Sequence, residues 1–243
     1  MPRMIVVAGP PGGGKSTVFP VNSFGVEAFN ADDRAAALNK GSYRSLLPSV
    51  RSTVNKEFEA FVEYHINTRR SFAFETTLRT GVTLRQAGLA KAEGFTVAMN
   101  YLAMGSLEEH LERVAARAEG GGHAASFSTL SGIYQASLKN LPSALRSLDT
   151  VEVFDNSALG QRPRLGFECG AETVRCSIKT NLFLRLLLLA HILKWRIGND
   201  NEITPFRIDH DTVGRCEDAR CCWRIGQPLL QYEHKHYFDG SRH

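Results

Sequence analysis

The sequence predicts an α/β fold, three layers with helices on both faces of a central parallel sheet. Two observations carry that prediction. Short apolar runs alternate with helical stretches from Met4 to Asp155, the rhythm of strands joined by helical crossovers. The first of those runs, Met4 to Ala8, stops at Gly9 and opens into Gly9-Pro10-Pro11-Gly12-Gly13-Gly14-Lys15-Ser16-Thr17. Within it the spacing Gly9-x-x-x-x-Gly14-Lys15-Ser16 is that of a phosphate-binding loop. A chance Gly-rich turn would share the glycines, but not the setting between a buried-strand pattern and a helix start.

Each residue type in the loop has a physical task. Glycines let successive backbone N–H groups point into one concavity, a fixed positive nest for phosphate oxygens. Lys15 reaches the β- and γ-phosphates, the Ser16 hydroxyl joins a Mg²⁺ shell, and the helix starting near Lys15 adds its dipole. The loop therefore predicts a nucleoside triphosphate as ligand.

Bulk properties narrow the classes. With 243 residues, 43% hydrophobic and 22% charged, the chain suits one good-sized core plus an appendage. A net charge of +4 fits an anionic small molecule and is too weak to argue for nucleic acid or a membrane surface. Met4–Ala8 is too short for a secretory h-region, which predicts a cytoplasmic protein. The five cysteines, Cys169, Cys176, Cys216, Cys221 and Cys222, all lie in the last third. Their odd number argues against a disulfide framework, and their crowding marks a boundary.

In chain order, Pro20 predicts a short first helix, because proline lacks an N–H and clashes one turn back. A second strand ends near Phe29-Asn30-Ala31-Asp32, and Asp33 to Asn39 reads as a helix. Asp32 then falls at a strand's carboxyl end, the edge where open α/β sheets bind ligands. Two readings of it stand at this point: proton acceptor or metal neighbour on one side, helix cap on the other. Residues 53–69 carry Val54, Phe58, Phe61, Val62 and Ile66 at helical spacing, with His65 a packed histidine beside that stripe. Ser71 to Leu78 is an aromatic strand whose Glu75 and Thr77 reach the same edge. Thr80 to Glu93 is a helix closed by Gly94, and Phe95 to Met104 a buried strand.

Ser106-Leu107-Glu108-Glu109 is a capping box for a helix running to about Glu119. Arg113 and Arg117 share a face of that helix. They serve either as a solvated face with a Glu109–Arg113 ion pair, or as a clamp over a triphosphate. Gly120-Gly121-Gly122-His123 breaks the helix like a lid joint, Leu130 to Leu148 is helical with an interruption at Pro142, and Thr150 to Asp155 is a fifth strand.

Taken in order, several stretches of the first 157 residues resemble the zeta toxin family of P-loop kinases. They are Ala8-Gly9-Pro10 through Thr17, Asn30-Ala31-Asp32, Phe74-Glu75-Thr76-Thr77-Leu78, Arg113-Val114 with Arg117, Gly121-Gly122-His123, Ser137 to Leu141, and Asp155-Asn156-Ser157. The resemblance implies a fold like that of nucleoside-monophosphate kinases. It also implies transfer of phosphate from ATP, with Mg²⁺, to a sugar hydroxyl of UDP-N-acetylglucosamine, and a protein antitoxin as partner. By the same resemblance Lys15 and Ser16 serve ATP and metal, Asp32 is the catalytic base, and Glu75 and Thr77 line the acceptor site. Arg113 clamps phosphate, with Arg117 as a second basic residue. One departure stands out: where relatives carry an arginine-rich stretch before the tyrosine, this chain has Ser131-Gly132-Ile133-Tyr134. That loss weakens transition-state charge stabilisation and keeps open a nucleotide-binding module with little transferase activity, or a kinase for another small acceptor.

The predicted organisation is a kinase-like domain over 1–157 and an extension of unassigned role over 158–243, with a candidate continuation of the core at Pro163-Arg164-Leu165. Asn181 to Ile197 is a leucine-rich helix, too short and too charged to span a bilayer. Cys216, Cys221 and Cys222 with His210, His234 and His236 match no standard paired-ligand metal spacing.

Overall fold

The computed structural model describes residues 1–119, 125–158, 160–170 and 174–176. Strands β1 (Arg3–Ala8), β2 (Glu27–Phe29), β3 (Phe72–Thr76), β4 (Thr96–Ala103) and β5 (Thr150–Asp155) lie parallel. Strands β6 (Arg164–Gly170) and β7 (Val174–Cys176) extend the sheet antiparallel, giving the order β2-β3-β1-β4-β5-β6-β7. The sheet thus continues through the Pro163-Arg164-Leu165 stretch.

The connections are α1 (Lys15–Val18), a 3-10 turn (Val21–Phe24), α2 (Ala31–Leu38), α3 (Pro48–Asn67), α4 (Val82–Ala92), α5 (Leu107–Glu119) and α6 (Phe127–Ser147). From β1 the chain moves outward to β2, then turns back through β3 and crosses β1 to reach β4. Right-handed crossovers put connections running in opposite directions on opposite faces. The core divides accordingly. Met4, Val6 and Ala8 of β1 face a large cluster with Val62, Ile66, Ala87, Leu141 and Ala144 from α3, α4 and α6. Ile5 and Val7 face a smaller one with Val18, Phe19, Val21 and Phe24. With both faces covered, Met4–Ala8 of β1 and Phe72–Phe74 of β3 are continuous apolar runs.

Sequence and structure differ at two helices. The third begins at Pro48, five residues before the expected start at 53, with proline in the first turn where its missing N–H costs nothing. The last runs without interruption through Pro142. Pro142 is buried, and Leu138, Leu141, Ala144 and Leu145 around it pack into the large cluster, which outweighs one lost backbone bond. His65 is packed as expected, with its ring nitrogens against the Phe61 carbonyl at 2.7 Å and the Glu27 carboxylate at 2.9 Å. The Gly120-Gly121-Gly122-His123 joint, the Asn181–Ile197 stretch and the histidines and cysteines from His210 onward lie outside the described residues.

Candidate active site

The parallel register fixes which side chains meet. Val7 pairs with Glu75 and Ala8 with Thr76, so β3 presents Glu75 where β1 is about to open into the Gly9–Thr17 loop. Phe29 pairs with Phe74, so Asn30 follows level with Glu75, and its Nδ2 donates to Glu75 Oε2 at 3.4 Å. This is the point where the strand order reverses, the crevice that binds ligands in open α/β sheets.

The loop itself is tightly enclosed. Gly9 has φ +135°, and a Cβ there would run into the Leu102 carbonyl of β4. Gly12 has φ +82°, with the His110 carbonyl 2.5 Å from where its Cβ would be. Both require glycine for conformation and for space. Gly13 N–H donates to the Pro10 carbonyl at 3.3 Å, Gly14 is left-handed at φ 87°, and the N–H of Thr17 returns to the Gly14 carbonyl. Helix α1 is a single turn, ended before Pro20 as expected, so the loop's own N–H groups dominate over a helix dipole.

Lys15 and Glu75 are 7% and 12% exposed, with Nζ 3.6 Å from Glu75 Oε1. Nζ also donates to the Pro10 carbonyl at 3.1 Å, and the Ser16 hydroxyl donates to Glu75 Oε2 at 2.8 Å. Burial pushes the Lys15 ammonium below its usual range; the charges of Glu75 and then Asp32 raise it again, while Arg117 lowers it. Asp32 and Arg117, both exposed, are therefore within electrostatic reach of Lys15.

The cap of α2 is Asn30, whose Oδ1 accepts from the N–H groups of Asp32 and Asp33 at 3.0 and 3.3 Å. Neither aspartate caps the helix: Asp32 lies on its first turn, and Asp33 accepts from the Tyr43 hydroxyl at 2.9 Å. Thr77 follows Glu75, half-buried, in a turn where Thr76 Oγ1 accepts from Leu78 N–H at 3.2 Å and Asn140 Nδ2 holds the Leu78 carbonyl at 2.9 Å.

On α5, Ser106 Oγ accepts from Glu109 N–H at 3.2 Å as the capping box predicts. The Glu109 carboxylate accepts from Gly105 N–H at 3.0 Å, and Arg113 turns to the Asn156 and Ser157 carbonyls at 2.6 and 3.4 Å instead. His110 and Asn156 were not singled out as site residues by the sequence, yet both touch the loop. His110 Nδ1 is 2.8 Å from the Pro11 carbonyl, and Asn156 Nδ2 donates to the Gly13 carbonyl at 2.9 Å. The usable signal was helical spacing, since His110, Arg113, Val114 and Arg117 share one face of α5.

Sheet order, enclosed loop and buried lysine together define a P-loop kinase fold with its glycine-rich loop at the switch point. The chain belongs to the zeta toxin family, whose family model, described as Zeta toxin, matches residues 1–159. An uncharacterized protein of Haemophilus influenzae is 29% identical over 123 residues, 50% of this chain and 84% of that protein. Among solved structures, one from the PezAT toxin–antitoxin system of Streptococcus pneumoniae matches with a TM-score of 0.50 and 18% identity, over 64% of this chain and 69% of that one. Complexes of AvrRxo1-ORF1 with AvrRxo1-ORF2 match with TM-scores of 0.60 with sulphate ions and 0.58 with ATP, at 18% and 17% identity. Both matches cover 77% of this chain and 64% of the other, so the chain spans less than two thirds of those proteins. At such identities the likeness is one of fold. Among the described residues, no helix is long and apolar enough to cross a membrane.

Proposed function

We propose that the chain is an ATP-dependent kinase that transfers the γ-phosphate to a hydroxyl of a small molecule, a nucleotide sugar such as UDP-N-acetylglucosamine, in the cytoplasm. The observation that carries this reading is the position of Glu75. Its carboxylate lies against the Lys15 ammonium and the Ser16 hydroxyl, the two groups a triphosphate would take, with Asp32 on the first turn of α2 within electrostatic reach of Lys15.

In this reading the incoming phosphates replace the Glu75 carboxylate as the partner of Lys15. Asp32 accepts the proton of the acceptor hydroxyl as its oxygen bonds to phosphorus, and ADP leaves with the electron pair of the broken P–O bond. Glu75 and Thr77 then hold the acceptor through hydrogen bonds. Arg113, anchored on the Asn156 and Ser157 carbonyls, and Arg117 add positive charge where negative charge builds up. The Ser16 hydroxyl is the oxygen that would join a Mg²⁺ shell, and a bound ion would neutralise phosphate charge. Most of the catalysis is positioning and electrostatics, because phosphoryl transfer asks little covalent work of the protein.

One observation favours a second reading, a nucleotide-binding module with weak transfer. From Phe127 to Leu138, α6 carries no arginine or lysine. Arginines that stabilise a transferring phosphoryl are worth roughly 10³-fold or more in rate. Either form would suit a protein antitoxin as partner, since PezAT is a toxin–antitoxin system and AvrRxo1-ORF1 is seen in complex with AvrRxo1-ORF2.

Incubation with γ-labelled ATP, magnesium and UDP-N-acetylglucosamine, followed by separation of products, tests the proposal. Labelled sugar nucleotide is expected. Measurable ATP binding with no label on that acceptor or on other sugar and nucleoside alcohols would favour the weak module instead.

A further inference from the structure

Two buried side chains reach the outer side of the phosphate loop from the far end of β4. His110 is 2% exposed and Asn156 8%. His110 Nε2 accepts the Met104 N–H at 3.1 Å, which forces the proton onto Nδ1, so Nδ1–H donates to the Pro11 carbonyl at 2.8 Å. Asn156 N–H donates to the Ala103 carbonyl at 2.9 Å while its side-chain amide donates to the Gly13 carbonyl. Both tethers are thus pinned to residues 103–104, where β4 ends.

A trans peptide points its carbonyl and its N–H in opposite directions. The Pro11 carbonyl shares a peptide with Gly12 N–H, and the Gly13 carbonyl shares one with Gly14 N–H. We propose that His110 and Asn156 are positioning residues for nucleotide phosphate. By holding two carbonyls on the outer side of the loop, they aim the Gly12 and Gly14 N–H groups into its concavity. The inference rests on the reading of residues 9–17 as a nucleotide-phosphate site. A loop this rich in glycine has many conformations open to it, and an N–H nest binds an anion well only when its members are already aligned. Glycine makes the concavity possible; the two tethers select it.

The test is ATP affinity by calorimetry in magnesium buffer, with thermal unfolding of each full-length variant in parallel. His110→Phe keeps a ring and removes both hydrogen bonds. His110→Asn restores an amide donor near the position of Nδ1. Asn156→Asp keeps size and shape but sets a carboxylate against the Gly13 carbonyl. The expected result is folded His110→Phe and Asn156→Asp proteins that bind ATP about tenfold more weakly or worse, with most of the affinity recovered in His110→Asn. Variants that melt earlier yet bind ATP like the parent would reduce both residues to structural packing and overturn the inference. If His110→Phe does not fold, the near-isosteric Asn156→Asp decides. A parent protein that itself fails to bind ATP removes the nucleotide reading and this inference with it, whereas parent binding with undiminished variants removes this inference alone.

Discussion

Ser16 donates its hydroxyl to the Glu75 carboxylate at 2.8 Å, across the gap between the loop that follows β1 and the end of β3. Since Lys15 faces the same carboxylate at 3.6 Å, Glu75 occupies the ground that a triphosphate would enter in the proposed reaction. Glu75→Gln removes a like charge from that ground while leaving a hydrogen-bonding side chain. ATP affinity is expected to hold or rise, and transfer to the acceptor to fall by roughly tenfold or more as the acceptor loses a charged hydrogen bond. Calorimetry and a transfer assay on the same preparation separate the two effects. Loss of ATP binding together with transfer would instead make Glu75 part of the nucleotide site.

Lys15 is enclosed, with its ammonium between the Pro10 carbonyl and Glu75. Lys15→Ala should weaken ATP binding by about two orders of magnitude. Lys15→Arg should not restore it, because a planar guanidinium is bulkier than a compact ammonium and does not fit that enclosed space. Fluorescent-nucleotide titration checks both variants, and tight binding by either would sink the assignment of the loop.

Asn30 caps α2, and the next turn carries Asp32. Asn30→Ala should lower stability by about 1 kcal/mol, read from urea unfolding. It should also slow phosphoryl transfer more than it weakens ATP binding, since Asp32, the proposed base, loses the cap that orients its turn. An equal loss in both would mean that α2 supports the nucleotide rather than the acceptor.

Burial holds the His110 imidazole at about 4, down from 6.5; the Pro11 carbonyl pulls it back up, and the charges of Lys15 and Arg113 add to the lowering. The unfolded chain takes up this proton near 6.5 and the folded chain only near 4. Between those values the unfolded state binds more protons, so this group destabilises the fold progressively as pH falls through the window and is silent above it. Unfolding free energies across that range should show a steeper acid loss in the parent than in His110→Phe. Parallel slopes would show that His110 does not titrate in this way.

Much of this was legible in the sequence because it is local. The Gly9–Thr17 loop announces itself by spacing, Pro20 ends the first helix, and Glu75 follows the aromatic run that marks β3. What was not legible depends on partners distant in sequence. No local pattern tells that Asn156 will meet Gly13, or that Asn30 rather than Asp32 will cap α2, because both follow from strand register and backbone geometry. Pro142 misled for the same reason. Proline predicts a break from local sterics, and the packing of Leu138, Leu141 and Leu145 on the sheet overrides it. His110 was half-legible: its place on the arginine face could be read from helical spacing, but its contact with Pro11 could not.

In the proposed reaction the carboxyl edge of β1, β2 and β3 is the phosphoryl-transfer site and Asp32 is its base. The most direct measurement compares the parent with Asp32→Ala for transfer of label from γ-labelled ATP to UDP-N-acetylglucosamine, at matched ATP occupancy. The account predicts labelled sugar nucleotide from the parent and essentially none from the variant, with ATP affinity alike in both. Equal labelling by the two proteins would contradict it, leaving Asp32 a surface residue on the first turn of α2.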